Sequence, residues 1–239
     1  MNVTLAIAKR ELAALFVSPT AYLVIGIFAF VTSVFFMAYF VPGRPAEMRG
    51  VYEVVVWVLI FLAPAVSMRT VSEELSSGTI ELLMTAPVSD GQIVLGKWLG
   101  AMGFFGAMLS PLIVQIVVLS FAAAPDYGPI VTGLIGLLLI GGLYLAIGVF
   151  VSTMTDSQLV AFLLTTLITG LLAIGTFYVA TFPGIPDWLR EGVNYVNIYG
   201  HYQSFAKGLL DATNLVYFVS ATALFLFLGV KLIESRRWR

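Results

Sequence analysis

The sequence predicts an all-α fold: a polytopic membrane protein with six transmembrane helices. Three observations carry that expectation. Of the 239 residues, 60% are hydrophobic and 10% charged, with a mean hydropathy of +1.00, whereas a soluble domain carries about 25% charged residues. Apolar runs of about 20 residues, the length that crosses a bilayer's hydrocarbon core, recur along the whole chain. The intervals between them hold helix-end punctuation such as Ser18-Pro19, Pro42-Gly43, Ser89-Asp90-Gly91-Gln92 and Pro125.

Residues 1–17 read as an amphipathic helix lying in the membrane interface. Val3, Ile7 and Ala14 supply its apolar side, and Lys9, Arg10 and Glu11 its polar side. Span one follows at about 20–41, with Ser18 as N-cap and Pro19 at the first helical position. Span two covers about 52–68. Next comes Arg69–Trp98, a polar stretch holding six of the 25 charged residues.

Span three, about 93–121, is announced by Ser89 as N-cap and Gln92 as its capping-box partner, with Val88 and Ile93 as a hydrophobic staple. Gly96, Gly100, Gly103 and Ala107 form a small-residue stripe that lets another helix approach closely. Span four covers about 129–151 and span five about 159–182, separated by the polar turn Ser152–Gln158. An aromatic-rich interval, Pro183–Asp211, precedes span six at about 213–233. The whole of 1–239 reads as one transmembrane domain.

Six spans put both termini on one side. That side holds eight Lys and Arg residues and the other side four, which favours a cytoplasmic location for the termini and for Arg69–Trp98 in a cell (inner) membrane. The net charge of −1 gives no footprint for nucleic acid. With no cysteine, thiol catalysis and cysteine metal sites are excluded.

No ionisable residue is expected well inside a span. Glu53 and Lys97 fall at edges, with Lys97 and Trp98 read as interface residues. An ion-driven carrier needs groups that change charge at membrane depth, so this chain has no visible engine of its own. The one histidine, His201, leaves no histidine-containing triad within a span. No catalytic, cofactor-binding or metal-ligating residue is therefore expected. Gly91–Trp98 imitates a phosphate-binding loop, but Trp98 stands where the motif needs Ser or Thr for magnesium, and no strand precedes it. Any uphill work would have to come from a partner, received on Arg69–Trp98.

Within that stretch Thr79 can N-cap a short helix, Thr79–Ala86, with Glu81 in its first turn, Leu82–Met84 as an apolar patch and Pro87 closing it. The pattern Glu74-x-x-x-Gly78-Thr79-Ile80-Glu81-x-Leu83-x-x-x-Pro87 resembles the cytoplasmic-loop motif of ABC-2-type permeases, the membrane subunits of type V ABC transporters. Ser152-x-x-Thr155-x-x-Gln158 is similar to that family's second cytoplasmic loop. The interval carrying His201, Phe205, Lys207 and Asp211, with the ending Glu234–Arg239, resembles the GldF-like, gliding-motility branch.

The resemblance implies a half-transporter without cofactor of its own, ATP and Mg2+ residing in a cytoplasmic ABC ATPase subunit. It implies pairing with a second permease copy or a paralogue. It makes 1–17 the elbow helix, Thr79–Ala86 the coupling helix and Asp187–Asp211 short outer helices. Membrane lipids and a periplasmic auxiliary membrane protein would be further partners. Export of a substrate is the leading function. Transmission of ATPase strokes to an envelope or motility complex, and a stand-alone channel, are the competing ones. Gln115, Thr165, Thr166 and Thr169 are read as pathway-lining or as helix-to-helix hydrogen-bonding residues.

Overall fold

Tyr127–Ser152, the fourth apolar run, is the helix around which the others gather. It is apolar on all sides, as a helix buried in a bundle must be. Its glycines let neighbours come close: a Cβ on Gly133 would lie 2.6 Å from the Tyr52 ring, and Cβ atoms on Gly141 and Gly148 would run into Phe105 and Ser67. The computed structural model describes residues 3–41, 46–79, 88–182 and 186–236. Those residues form helices and connecting turns.

In chain order the helices are α1 (Val3–Val17), α2 (Pro19–Tyr39), α3 (Arg49–Ser67), α4 (Ser72–Ser76), α5 (Asp90–Met108), α6 (Ser110–Ala122) and α7 (Tyr127–Ser152). Then follow α8 (Gln158–Gly170), a π-helical turn at Leu171–Gly175, α9 (Thr176–Thr181), α10 (Asp187–Val196), α11 (Ile198–Ala206) and α12 (Ala212–Arg236). Among the described residues, six helical stretches are long and apolar enough to cross a membrane: α2, α3 running on into α4, α5 with α6, α7, α8 through α9, and α12.

Besides the turn at 68–71 between α3 and α4, two spans depart from uniform helices. Span three breaks at Leu109, because Pro111 has no N–H for the next intrahelical bond, so α6 starts afresh with Pro111 in its first turn. Span five passes through the π-helical turn between α8 and α9. Ser18 occupies the N-cap position of α2, with Pro19 after it, but its hydroxyl meets Thr20 Oγ1 at 2.6 Å and does not cap the helix. At α5 the expected capping box is present: Gln92 N–H donates to Ser89 Oγ at 3.3 Å and Ser89 N–H to Gln92 Oε1 at 3.1 Å.

The small-residue stripe of span three receives α1. Cβ atoms on Gly96 and Gly100 would each lie 2.7 Å from side-chain carbons of Ile7 and Glu11, and Gly103 faces Leu12. Further along, Phe16 meets Phe104 edge-on at 5.3 Å between ring centroids. The two helices thus run alongside each other in the same direction. The buried stripe of α1 is Ile7, Glu11 and Leu15, so Glu11 is not on the polar side where sequence reasoning puts it.

One end of the bundle collects α1, α4, the 153–157 turn and the end of α12. Arg236 Nη2 there donates to the carbonyls of Thr153 at 3.1 Å and Met154 at 3.4 Å. This is the terminal end. α10 and α11 lie at the opposite end. Pro42, Gly43, Arg44, Pro183 and Arg237–Arg239 lie outside the described residues, as does the expected short helix apart from Thr79.

Candidate functional site

The terminal end is built on α4, a helix too short to hold itself together. The chain leaves α3 at Ser67, and α4 starts five residues later. Its first turn is capped from another span: the Ser152 hydroxyl accepts from the backbone N–H of Val71 at 2.9 Å and of Ser72 at 2.8 Å, and itself donates to the Met68 carbonyl at 3.3 Å. Ser152 is fully buried and ends α7. It stands at the start of the expected second loop and caps the first. Sequence reasoning missed this because the partners are 80 residues apart.

Glu74, in the middle of α4, is held by two cations. Lys97 Nζ lies 2.9 Å from its Oε2, and Arg10 Nη2 2.8 Å from its Oε1. Lys97 also lies 3.5 Å from Glu11 Oε2 and donates to the Thr70 carbonyl. Lys97 is only 1% exposed, so the lysine expected at the edge of span three is enclosed by other segments of the chain. Trp98 likewise turns inward and donates from Nε1 to the Gly142 carbonyl at 2.9 Å.

Burial pushes the Glu11 carboxyl above its ordinary value. The Lys97 charge opposes that rise and the Glu74 charge adds to it. The signal that could have found this junction was local to each helix. Glu11 sits between Ile7 and Leu15 at helical spacing, and Lys97 sits between the stripe glycines Gly96 and Gly100.

Gly78 ends α4. Its φ is +71°, the left-handed conformation that glycine adopts without steric cost, and its N–H donates to the Leu75 carbonyl at 3.3 Å. This accounts physically for the glycine in the Glu74–Pro87 motif: α4 ends there on a left-handed residue. Thr79 follows, exposed, with its Oγ1 2.9 Å from Ser77 Oγ. Glu81, Leu83 and Pro87 lie outside the described residues. In the second loop, Thr155 Oγ1 accepts from Ser157 N–H at 3.1 Å, and Ser157 caps α8, which Gln158 begins.

The opposite end places His201, Phe205, Lys207 and Asp211 far from this junction. His201 Nδ1 lies 2.6 Å from Asn214 Oδ1 and Nε2 3.2 Å from the Tyr195 carbonyl, while the ring stacks on Tyr217 at 4.0 Å. Phe205 is buried against Gly136. Lys207 is exposed beyond α11, and the Asp211 carboxylate accepts from Thr213 N–H at 2.9 Å at the start of α12.

Gln115 spends its amide between helices, donating to Thr32 Oγ1 at 3.2 Å and Ser33 Oγ at 3.4 Å, and Thr169 donates to the Ile60 carbonyl at 3.4 Å. Gly91–Trp98, which imitates a phosphate loop, is helical from its start, and its Gly96 receives Ile7. The polar groups at the terminal end fasten segments to one another. Taken together they form a mount: Ser152 and Lys97 hold α4 from spans four and three, Arg10 holds it from α1, and the chain leaves the mount at Gly78.

The family model for the ABC-2 family transporter protein matches residues 49–233. No curated protein matches the chain.

Proposed function

The chain is a member of the ABC-2 transporter family, and from that premise we propose that it is the permease subunit that couples a separate ABC ATPase to export of a substrate. The observation that carries the reading is the mount of α4. The motif residues Glu74 and Gly78 stand where a stroke delivered to the following loop meets a helix already fixed to α1, α5 and α7.

In this reading the terminal end faces the cytoplasm of a cell (inner) membrane, both termini included. Thr79–Ala86 is the coupling helix and α1 the elbow. Glu81 and Leu83 sit against the ATPase, while Thr155 and Gln158 support the contact from the second loop. ATP and Mg2+ bind in the ATPase, which supplies hydrolysis; this chain's residues position and transmit. The transporter pairs this chain with a second copy or a paralogue. His201, Phe205, Lys207 and Asp211 belong to the outer helices that close the far end.

The test is co-purification of the permease with its cognate ABC ATPase, comparing the natural chain with Glu81→Lys and Leu83→Asp. Leu83→Asp is expected to weaken the complex by about tenfold or more, the consequence of losing about 1.4 kcal/mol. An unchanged complex with unchanged ATP hydrolysis would remove the coupling-helix reading. A complex that hydrolyses ATP and moves no solute would turn the reading toward force transmission.

A further inference from the structure

We propose that Lys97 is a positioning residue whose charge makes α1, α4 and the start of α5 one moving body. A push on the loop after α4 then enters the membrane through span three. The inference rests on the coupling reading above and adds the residue that routes the stroke.

Lys97 stands at a three-way joint. On one side, the glycines at 96 and 100 bring α1 so close that Ile7 and Glu11 lie directly over α5, and Glu11 Oε2 comes to 3.5 Å from Nζ. On the other side are Glu74 Oε2 at 2.9 Å and the Thr70 carbonyl, both from the segment after span two. Arg10 closes the triangle from α1 to Glu74. Three segments distant in sequence therefore share one buried ammonium group.

A buried ion pair gives little net stability over an apolar packing of similar volume, because desolvation offsets much of the attraction. What the charge adds is direction: the ammonium donates to the Glu11 carboxylate and the Thr70 carbonyl and is ion-paired with Glu74 Oε2. α4 spans five residues and keeps its place only through its attachments. Ser152 fixes its first turn, and Lys97 with Arg10 fixes its middle. Displacing Glu74 therefore displaces Lys97, and α5 with it.

The chain has no cysteine, so labels can be placed at will. Lys9 on α1 and Ser76 on α4 are both exposed. Spin labels on Lys9→Cys and Ser76→Cys should give one narrow distance in the permease–ATPase complex in nanodiscs. The distance should be the same without nucleotide and with a non-hydrolysable ATP analogue. In Lys97→Met combined with Glu11→Gln, Glu74 keeps Arg10, so no buried carboxylate is left unpaired. That variant should fold, and its distance should broaden or shift with nucleotide.

Lys97→Arg should restore the single distance. Glu11→Gln alone, which keeps the Lys97–Glu74 pair, serves if the double variant fails to fold; it should broaden the distance by loosening α1. A natural-chain distance that changes with nucleotide, or neutral variants as narrow as the natural chain, would overturn the proposal. Failure of the ATPase to bind would instead overturn the coupling reading. The nucleotide-free distances of the permease alone would still decide whether Lys97 ties the segments.

Discussion

The two ends of this bundle are held by different chemistry. At the terminal end the ties are polar and specific: Lys97 on Glu74 and Glu11, Arg10 on Glu74, and the Ser152 hydroxyl on two backbone N–H groups. At the opposite end rings carry much of the packing, beside neutral hydrogen bonds such as His201 Nδ1 with Asn214 Oδ1 and Thr132 Oγ1 to the Phe205 carbonyl. Trp57, Phe177 and Tyr199 meet with centroids 5.2 to 5.7 Å apart, His201 stacks on Tyr217, and Tyr202 lies on Gly133 and Gly136. Polar ties fail abruptly when one partner goes, because a buried group is then left unpaired. Ring packing loses strength by degrees with contact area. The end proposed to receive work is thus the one built to keep its geometry.

The largest effect expected from breaking that contrast is Lys97→Met, which leaves Glu11 and half of Glu74's pairing without a partner. It should cost about 3–5 kcal/mol, read as a fall in thermal or denaturant midpoint in detergent; a midpoint like the natural chain's would mean the charges are not held as described. Ser152→Ala comes next. It strands the N–H groups of Val71 and Ser72 and should cost about 1–3 kcal/mol, with faster amide exchange confined to α4 as the sharper readout.

A pH effect is smaller. Folding raises the Glu11 carboxyl above 4.5, so the folded state holds its proton where the unfolded chain releases it. The contribution of Glu11 to stability is full below pH 4.5 and is lost as pH rises through the folded value. Glu11→Gln should flatten that part of the stability–pH curve, and an unchanged slope would count against the buried position of Glu11. At the opposite end, Tyr202→Phe removes a buried hydroxyl with no partner among the described residues. It should change stability by less than about 0.5 kcal/mol, and a cost near that of Ser152→Ala would erase the contrast.

Much of the fold could be read from local signals. Apolar run length gave six crossing helices, Ser89 and Gln92 gave the start of α5, and the spacing of Gly96, Gly100 and Gly103 announced a close helix partner, though not that the partner would be α1. What stayed hidden was non-local or without a residue signature. Glu11 and Lys97 are 86 residues apart, and each alone looks like an ordinary charge near an interface. Ser152 reads as a loop serine until Val71 is placed beside it.

The π-helical turn at Leu171–Gly175 has no composition that distinguishes it from its neighbours. The break at Leu109 did leave a local sign in Ser110-Pro111, but it sits within an unbroken apolar run. Of the family motif, Gly78 gains a physical reason from the left-handed turn, and Glu74 gains one from its two cations. The roles of Glu81, Leu83 and Pro87 rest on the resemblance.

The choice between the two ends can be put to one measurement. Thr79 and Asp211 are both exposed and lie at opposite ends. A benzophenone maleimide placed on Thr79→Cys or on Asp211→Cys in the cysteine-free chain, and activated by light in membranes that contain the ATPase, reports which end the ATPase touches. The expected result is a permease–ATPase adduct from position 79 and none from position 211. An adduct from position 211 with none from position 79 would contradict the docking of the ATPase at the terminal end, and with it the proposed coupling.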